Sequence, residues 1–120
     1  MTTCGTASNN GAVFRYEFPR VLVDEATMVK EKDLILPIKN ARQLVLIGDQ
    51  KQLGPTLEYN FVGFKSLYTR LLSNQNAQYT TLNIQYRMHK SLIHVPNYSF
   101  YQNRIETGYV TKADKCFLDS

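Results

Sequence analysis

The hydrophobic pattern begins with two short apolar runs that each end in acidic residues. Residues 21–23 (VLV) run directly into Asp24 and Glu25, and residues 44–47 (LVLI) run into a Gly-Asp pair. Both runs lack polar alternation and are rich in β-branched side chains, which is typical of strands buried on both faces of a parallel sheet. Residues 29–38 have a polar first turn and an apolar second half, which predicts a short helix. The order strand, helix, strand predicts a βαβ unit.

The rest of the pattern predicts two more helices and one more strand. Apolar side chains at the spacing of one helix face occur at Phe64, Leu67, Tyr68 and Leu71. Residues 78–84 favour a strand, and residues 91–101 favour a helix interrupted near Pro96. One side of this helix carries Ile93, Pro96 and Phe100. Residues 107–120 show no clear period. The chain is therefore predicted to be α/β.

Composition and charge exclude only a few classes of function. The chain carries 14 Lys+Arg against 10 Asp+Glu, a formal net charge of +4. The basic residues are scattered, so the charge permits a nucleic-acid partner without indicating one. No apolar run approaches the ~20 residues of a membrane span, and the first residues do not resemble a secretory signal. Cys4 and Cys116 cannot build a disulfide framework, which favours a reducing, intracellular setting.

The acidic pair after the first predicted strand is a candidate for phosphate chemistry. In open α/β sheets, ligands bind beyond the carboxyl ends of the strands. Asp24 could hold Mg²⁺ through water, because Mg²⁺ keeps most of its hydration shell. Glu25 could orient and deprotonate an attacking water. Taken alone, a strand that ends in Asp-Glu can equally be the polar start of a loop.

Two further segments carry candidate chemistry. Residues 48–55 (GDQKQLGP) contain two glycines and a proline that fix the backbone path, although a polar turn would use the same residues. Residues 82–89 (LNIQYRMH) contain Arg87, which could neutralise charge on a transferring phosphoryl group or pair with a surface carboxylate. His89 and His94 are five residues apart and fall on different helix faces, which argues against a metal pair.

In this order, VLVDEAT, LIGDQKQLGP and LNIQYRMH resemble motifs II, III and IV of superfamily-one helicases. The chain is most similar to the up-frameshift (regulator of nonsense transcripts) RNA helicases and their senataxin-like relatives. The resemblance covers nearly the whole chain, with Met28 and Lys90 as departures from the usual Gln and Pro. It implies a partial RecA-like (P-loop NTPase) parallel sheet. Residues 1–80 would form the C-terminal half of a first RecA-like domain, and residues 81–120 the start of a second.

The resemblance also implies roles for individual residues. Asp24 would hold Mg²⁺, Glu25 would be the general base, and Gln52 would sense the γ-phosphate. Arg87 would be an arginine finger from the second domain. The residues implied to bind ATP are Asp24, Glu25, Gln52, Gln85, Tyr86 and Arg87. Contacts to a nucleic-acid strand are implied for Thr3, Cys4, Gly54 and Pro55. The implied partners are single-stranded RNA or DNA and RNA-decay factors, in the cytoplasm or the nucleus, with a role such as nonsense-mediated decay.

The 120 residues contain no phosphate-binding G-x-x-x-x-G-K-[ST] pattern, since no glycine is followed by lysine. The chain is therefore expected to resemble a window of a two-domain ATPase that does not hydrolyse ATP by itself. In the implied fold, the strand that leads into the phosphate-binding loop lies beside residues 44–47. Without that strand, an unpaired sheet edge and poor solubility of the chain are expected.

Two alternative functions stay open. One is a non-catalytic module that binds nucleic acid or a helicase partner, and the other is a Mg²⁺-dependent nuclease. The nuclease would use Asp24, Glu25 and Asp49, and would leave the Gln-Arg pair unexplained.

Overall fold

The computed structural model describes residues 1–9, 11, 16–55 and 66–108. The chain divides into two compact units, Met1–Gln78 and Tyr79–Ser120. The predicted helix position Phe64 and the tail 109–120 lie outside the described residues.

The first unit is built around a parallel βαβ arrangement. Its elements are α1 (Cys4–Asn9), β1 (Arg20–Val23), a 3-10 helix (Ala26–Met28), α2 (Glu31–Ile38), β2 (Gln43–Leu46) and α3 (Leu67–Leu72). β1 pairs with β2 in parallel, with Val21 opposite Leu44. The α/β class and the βαβ unit predicted from the sequence are confirmed.

Local sequence explains where α2 and α3 begin. α2 carries Glu31 and Asp33 in its first turn, where negative charge interacts favourably with the helix dipole. α3 begins after Ser66, whose hydroxyl accepts a hydrogen bond from the Thr69 amide at 3.2 Å. An ion pair between Arg70 and Glu31 then joins α3 to α2.

The core of the first unit lies on one side of the sheet. Its buried members are Val23, Ala26, Leu34 and Leu67. Partly buried apolar side chains surround them, namely Cys4, Val21, Val29, Ile38, Leu44, Leu46 and Tyr68. Leu34, from α2, is fully buried and stands at the centre of this cluster.

The prediction that both strands are buried on both faces is wrong. Leu22 is 66% exposed and Val45 is 39% exposed, although both side chains are apolar. They are opposite each other in the register, whereas their neighbours on the strands face the core. The reason is that the core described above covers a single face of the two-stranded sheet.

The second unit is a smaller parallel βαβ arrangement. β3 (Ile84–Gln85) pairs in parallel with β4 (Glu106–Thr107), and α4 (Lys90–Tyr101) connects them. The strand predicted over residues 78–84 is thus reduced to its end. Residues 78–83 are exposed, and beyond the two residues of β3 the strand β4 adds a single bond, from the Glu106 amide to the Asn83 carbonyl at 2.7 Å. In the part of the chain that the structure describes, no strand pairs with residues 78–82, and β-propensity alone does not form a strand there.

α4 differs from the predicted helix because it runs without interruption through Pro96. Of the three apolar residues predicted on one side, Ile93 is buried and Phe100 is 55% exposed. The other buried position is Asn97, whose side-chain amide donates to the carbonyl of Ile105 at 2.8 Å and accepts from the Ile105 amide at 2.9 Å. This clamp orients the helix, because a buried amide must satisfy both ends of its side chain.

No helix among residues 1–9, 16–55 and 66–108 is long and apolar enough to cross a membrane.

Candidate functional site

Two exposed carboxylates, Asp24 and Glu25, follow β1 directly. Glu25 has left-handed backbone angles, φ 50° and ψ 41°. Such a conformation costs a residue with a side chain about 1–2 kcal/mol. The Glu25 amide donates to Asp24 Oδ1 at 3.0 Å, which holds the tight turn. A strained, exposed carboxylate at the carboxyl end of a strand is a feature of functional sites.

The loops that follow β1 and β2 lie side by side. The Ile47 amide donates to the Val23 carbonyl, and the Ala26 amide donates to the Ile47 carbonyl, both at 2.8 Å. Gly48 then packs so closely on the 3-10 helix that a Cβ there would be 3.2 Å from two Thr27 atoms. The acidic pair and the Gly-Asp turn therefore belong to one edge of the sheet in the first unit.

Asp49 organises the turn of residues 49–52. Its Oδ1 accepts the Lys51 amide at 2.8 Å, and its Oδ2 accepts the side-chain Nε2 of Gln52 at 3.1 Å. The Gln52 amide also donates to the Asp49 carbonyl at 3.1 Å. Gln52, the predicted phosphate sensor, is thus an exposed side chain held by Asp49. Both Asp49 oxygens therefore take part in holding the turn, each accepting a hydrogen bond.

Tyr68 of α3 supports the same loop. Its hydroxyl donates to the Gly48 carbonyl at 3.0 Å. Burial raises the pKa of Tyr68, and the negative charge of Asp49 raises it further. Sequence reasoning placed Tyr68 on the apolar face of a helix and missed this bond, since a partner 20 residues away leaves no local signal.

The residues of the first unit fit a hydrated magnesium ion. The described residues contain no group of three or more His, Cys, Asp or Glu side chains placed to hold a metal. Magnesium in nucleotide sites needs fewer protein ligands, because it is bound by one or two carboxylates together with waters and substrate phosphates. Asp24 is exposed, and one of its oxygens is occupied by the neighbouring Glu25 amide. Asp24 can therefore be the protein ligand of a magnesium ion whose other ligands are waters and phosphate oxygens.

In the second unit, the side chain of Gln85 fixes the loop that follows β3. Its Oε1 accepts the amides of Arg87 and Met88 at 2.9 and 2.7 Å. Its Nε2 donates to the Met88 carbonyl at 2.6 Å and to Thr107 Oγ1 at 2.8 Å. A primary amide has two donor hydrogens and two acceptor lone pairs, so its hydrogen-bonding capacity is used within the unit. The nucleotide-binding role expected of Gln85 from the sequence stays a prediction.

The side chains next to Gln85 project from this fixed loop. Tyr86 is 65% exposed, and Arg87 is exposed beside it. His89 is the N-cap of α4, where its Nδ1 accepts the Ser91 amide at 3.3 Å. The loop therefore presents an aromatic ring and a guanidinium group together.

The residues predicted to contact nucleic acid have varied surroundings. Thr3 directly precedes α1, and its Oγ1 accepts the Thr6 amide at 3.1 Å. Cys4 is half-buried against the core. Gly54 is exposed, with no atom within 4 Å of a Cβ built there, and Pro55 is half-buried. Thr3 and Cys4 thus have local structural roles, and the contacts with nucleic acid stay predictions.

Comparison with known proteins identifies the family. Residues 1–58 and residues 64–119 match two family models, each described as an AAA domain. Helicase sen1 of Schizosaccharomyces pombe is 36% identical over 118 residues, which cover 88% of this chain and 7% of that protein. The ATP-dependent helicase upf1 of the same organism is 36% identical over 114 residues, covering 91% of this chain and 12% of that protein.

A third relative is Regulator of nonsense transcripts 1 of Dictyostelium discoideum. It is 36% identical over 109 residues, which cover 85% of this chain and 8% of that protein. The chain belongs to the up-frameshift-like superfamily-one helicases. The resemblance seen in the three motifs is thereby confirmed, and the two small parallel sheets are those of a partial RecA-like fold. This helicase segment spans 7% to 12% of the length of these three relatives.

Proposed function

We propose that this segment is part of the motor of an ATP-dependent RNA helicase that couples ATP hydrolysis to movement along a single strand. The observation that carries the proposal is the strained Asp-Glu turn packed against the Gly-Asp turn at one sheet edge. It is supported by two relatives, one an ATP-dependent helicase and the other a regulator of nonsense transcripts. The likeness to a regulator of transcripts favours RNA over DNA as the strand.

In the first unit, Asp24 and Glu25 would divide the chemistry. Asp24 would hold Mg²⁺, which supplies positive charge to the phosphates of ATP when bound. Glu25 would accept a proton from the attacking water. Its left-handed backbone carries the side chain out of the line of β1 into solvent, where a water can reach it.

Gln52 is proposed as the residue that senses the γ-phosphate. Its side chain bonds to Asp49 in the present structure, so it would exchange this partner for a phosphate oxygen. The next residues, Gly54 and Pro55, are proposed to contact the nucleic-acid strand, so that the short turn between them transmits the change. Thr3 and Cys4 are the other proposed contacts.

Tyr86 and Arg87 of the second unit are proposed to recognise the nucleotide. Arg87 would neutralise charge that develops on the transferred phosphoryl group, which suits a planar guanidinium with several donors. Tyr86 would pack beside the adenine. Gln85 would act on both through the loop it fixes.

The biological setting is also proposed. We place the protein in RNA surveillance such as nonsense-mediated decay, acting with RNA-decay factors. The proposed compartment is the cytoplasm, with the nucleus as the alternative. Cross-linking of RNA and co-purified proteins in cells would test this setting.

The decisive experiment measures RNA-stimulated ATP turnover in the protein that contains this segment. Arg87→Ala should lower turnover by about 10³-fold, since an arginine finger acts mainly in the transition state. ATP binding should change much less. Arg104→Ala, an exposed arginine of the same unit, serves as the matched control and should keep normal turnover. Normal turnover in Arg87→Ala would remove Arg87 from the finger role.

The same assay separates the helicase from a non-catalytic binding module. Glu25→Gln should abolish turnover while RNA binding persists. If the unmodified protein binds RNA without any ATP turnover, the binding module is the better description.

A further inference from the structure

The end of β4 holds the loop that carries Tyr86. The Gly108 amide donates to the Gln85 carbonyl at 2.9 Å, one residue beyond the strand. Thr107 accepts the Gln85 side chain at 2.8 Å. Tyr86 therefore leaves β3 from a residue that is tied to the end of β4 by its backbone and by its side chain.

Gly108 lies directly beneath the Tyr86 ring. A Cβ built on Gly108 would be 2.2, 2.6 and 2.9 Å from three atoms of that ring, Cε1, Cδ1 and Cζ. These separations are far shorter than van der Waals contact, which is about 3.5–4.0 Å between carbon atoms. The ring therefore occupies the space that any side chain at residue 108 would need.

The backbone of Gly108 gives no other reason for a glycine. Its φ angle lies outside the left-handed range, so a residue with a side chain could adopt the same conformation. A side chain at residue 108 would thus force the exposed Tyr86 ring to move from this position. Gly108 acts as a flat support, and Tyr86 stays 65% exposed while it rests there.

A supported and exposed aromatic ring is suited to stacking with a planar ligand. Stacking between a base and an aromatic side chain favours binding, because both partners present flat π faces. A ring fixed in advance loses less conformational freedom when the ligand binds than a ring that must first be ordered.

We infer that Gly108 is a positioning residue for nucleobase recognition, holding the Tyr86 ring ready to stack on the base of the bound nucleotide. This inference rests on the proposed function, because it takes a nucleotide as the ligand of Tyr86. It adds a residue that touches neither phosphate nor base.

The test compares Gly108→Ala with the normal protein that contains this segment, in RNA-stimulated ATP hydrolysis. The KM for ATP should rise about tenfold, as expected when base stacking is lost, and kcat should stay within about twofold. The preference for ATP over ribose triphosphate, which has no base, should fall to the same extent. Gly5→Ala is the matched control, since no atom lies within 4 Å of a Cβ at that position.

A double-mutant cycle separates positioning from a general structural role. Once Tyr86→Ala has removed the ring, Gly108→Ala should have no further effect on KM. A full additional effect in that background would overturn the inference. If Gly108→Ala alone does not fold, the double variant Tyr86→Ala with Gly108→Ala should fold, because the ring that the new methyl group would clash with is absent. A double variant that also fails to fold would overturn the inference.

The outcomes distinguish a failure of the role inferred for Gly108 from a failure of the nucleotide contact proposed for Tyr86. If Tyr86→Ala raises KM and Gly108→Ala does not, only the role of Gly108 fails. If Tyr86→Ala leaves KM and base preference unchanged, the proposed nucleotide contact of Tyr86 fails, and the inference falls with it. An independent readout is the Hα resonance of Gly108, which the ring should shift upfield and which Tyr86→Leu should return to an ordinary position.

Discussion

At the scale of single residues, Glu25 combines backbone strain with the proposed chemistry. Its left-handed conformation is unfavourable for any residue with a side chain, and the hydrogen bonds on either side hold it in place. A residue selected only for stability would be glycine at this position. The strain is therefore consistent with a carboxylate kept for its reactivity.

Replacing Glu25 should separate stability from activity. Glu25→Gly should raise the free energy of unfolding by about 1 kcal/mol, because glycine adopts the left-handed region without strain. Glu25→Gln keeps the strain and should leave the stability unchanged. Both variants should lose ATP turnover. Urea unfolding at a concentration where the protein is monomeric checks the first statement, and a less stable Glu25→Gly would show that the backbone is not strained.

At the scale of elements, Gly48 joins the loop after β2 to the 3-10 helix. Gly48→Ala should destabilise the first unit by about 1–3 kcal/mol, because the new methyl group would press on the Thr27 backbone and side chain. Gly54→Ala, in the same loop, has open space around its Cβ and should cost almost nothing. Unfolding curves of the two variants check this pair. Equal losses would point to loop entropy instead of packing.

The bond from Tyr68 to Gly48 predicts a pH dependence of stability. The pKa of Tyr68 is raised by burial and by Asp49, so the folded unit holds the phenol proton more tightly than the unfolded chain does. The resulting stability is fully present below the usual tyrosine pKa of about 10 and is lost as the pH rises through the folded pKa. Tyr68→Phe should flatten this alkaline loss, as measured by urea unfolding from neutral to alkaline pH. An unchanged slope in Tyr68→Phe would assign the loss to another group.

At the scale of the whole molecule, the outer face of the first sheet governs behaviour in solution. Leu22, Val45 and Ile47 are all at least 39% exposed on or next to the paired strands. Prepared alone, the 120-residue chain should self-associate at micromolar concentration, because exposed apolar sheet faces and unpaired strand edges attract other chains.

Light scattering after size exclusion measures this self-association. Leu22→Thr together with Val45→Thr should shift the chain towards the monomer, since threonine keeps the β-propensity and reduces the apolar area. Leu82→Thr is the control, because Leu82 is 83% exposed but lies outside both sheets. A monomeric unmodified chain would contradict the prediction.

The sequence by itself determined the family and the strand, helix, strand order of the first unit, whereas α1 and β4 were not predicted. Apolar runs that end in Asp-Glu and Gly-Asp predict strands with chemistry at their carboxyl ends, because hydrophobic periodicity and turn residues act locally. The three motifs VLVDEAT, LIGDQKQLGP and LNIQYRMH are also local, so their order along the chain was sufficient to identify a superfamily-one helicase.

Tertiary structure alone decided which polar groups already have hydrogen-bond partners and which side chains are exposed. The one-sided burial of β1 and β2, the clamp made by Asn97 and the support of Tyr86 by Gly108 all join residues that are distant in the chain or on different elements. Gln85 shows the reason most clearly. Its amide is used by neighbours two and three residues away and by Thr107, 22 residues further along the chain. A motif shows which residue types are present, and only the folded backbone determines which hydrogen-bonding partners remain for a ligand.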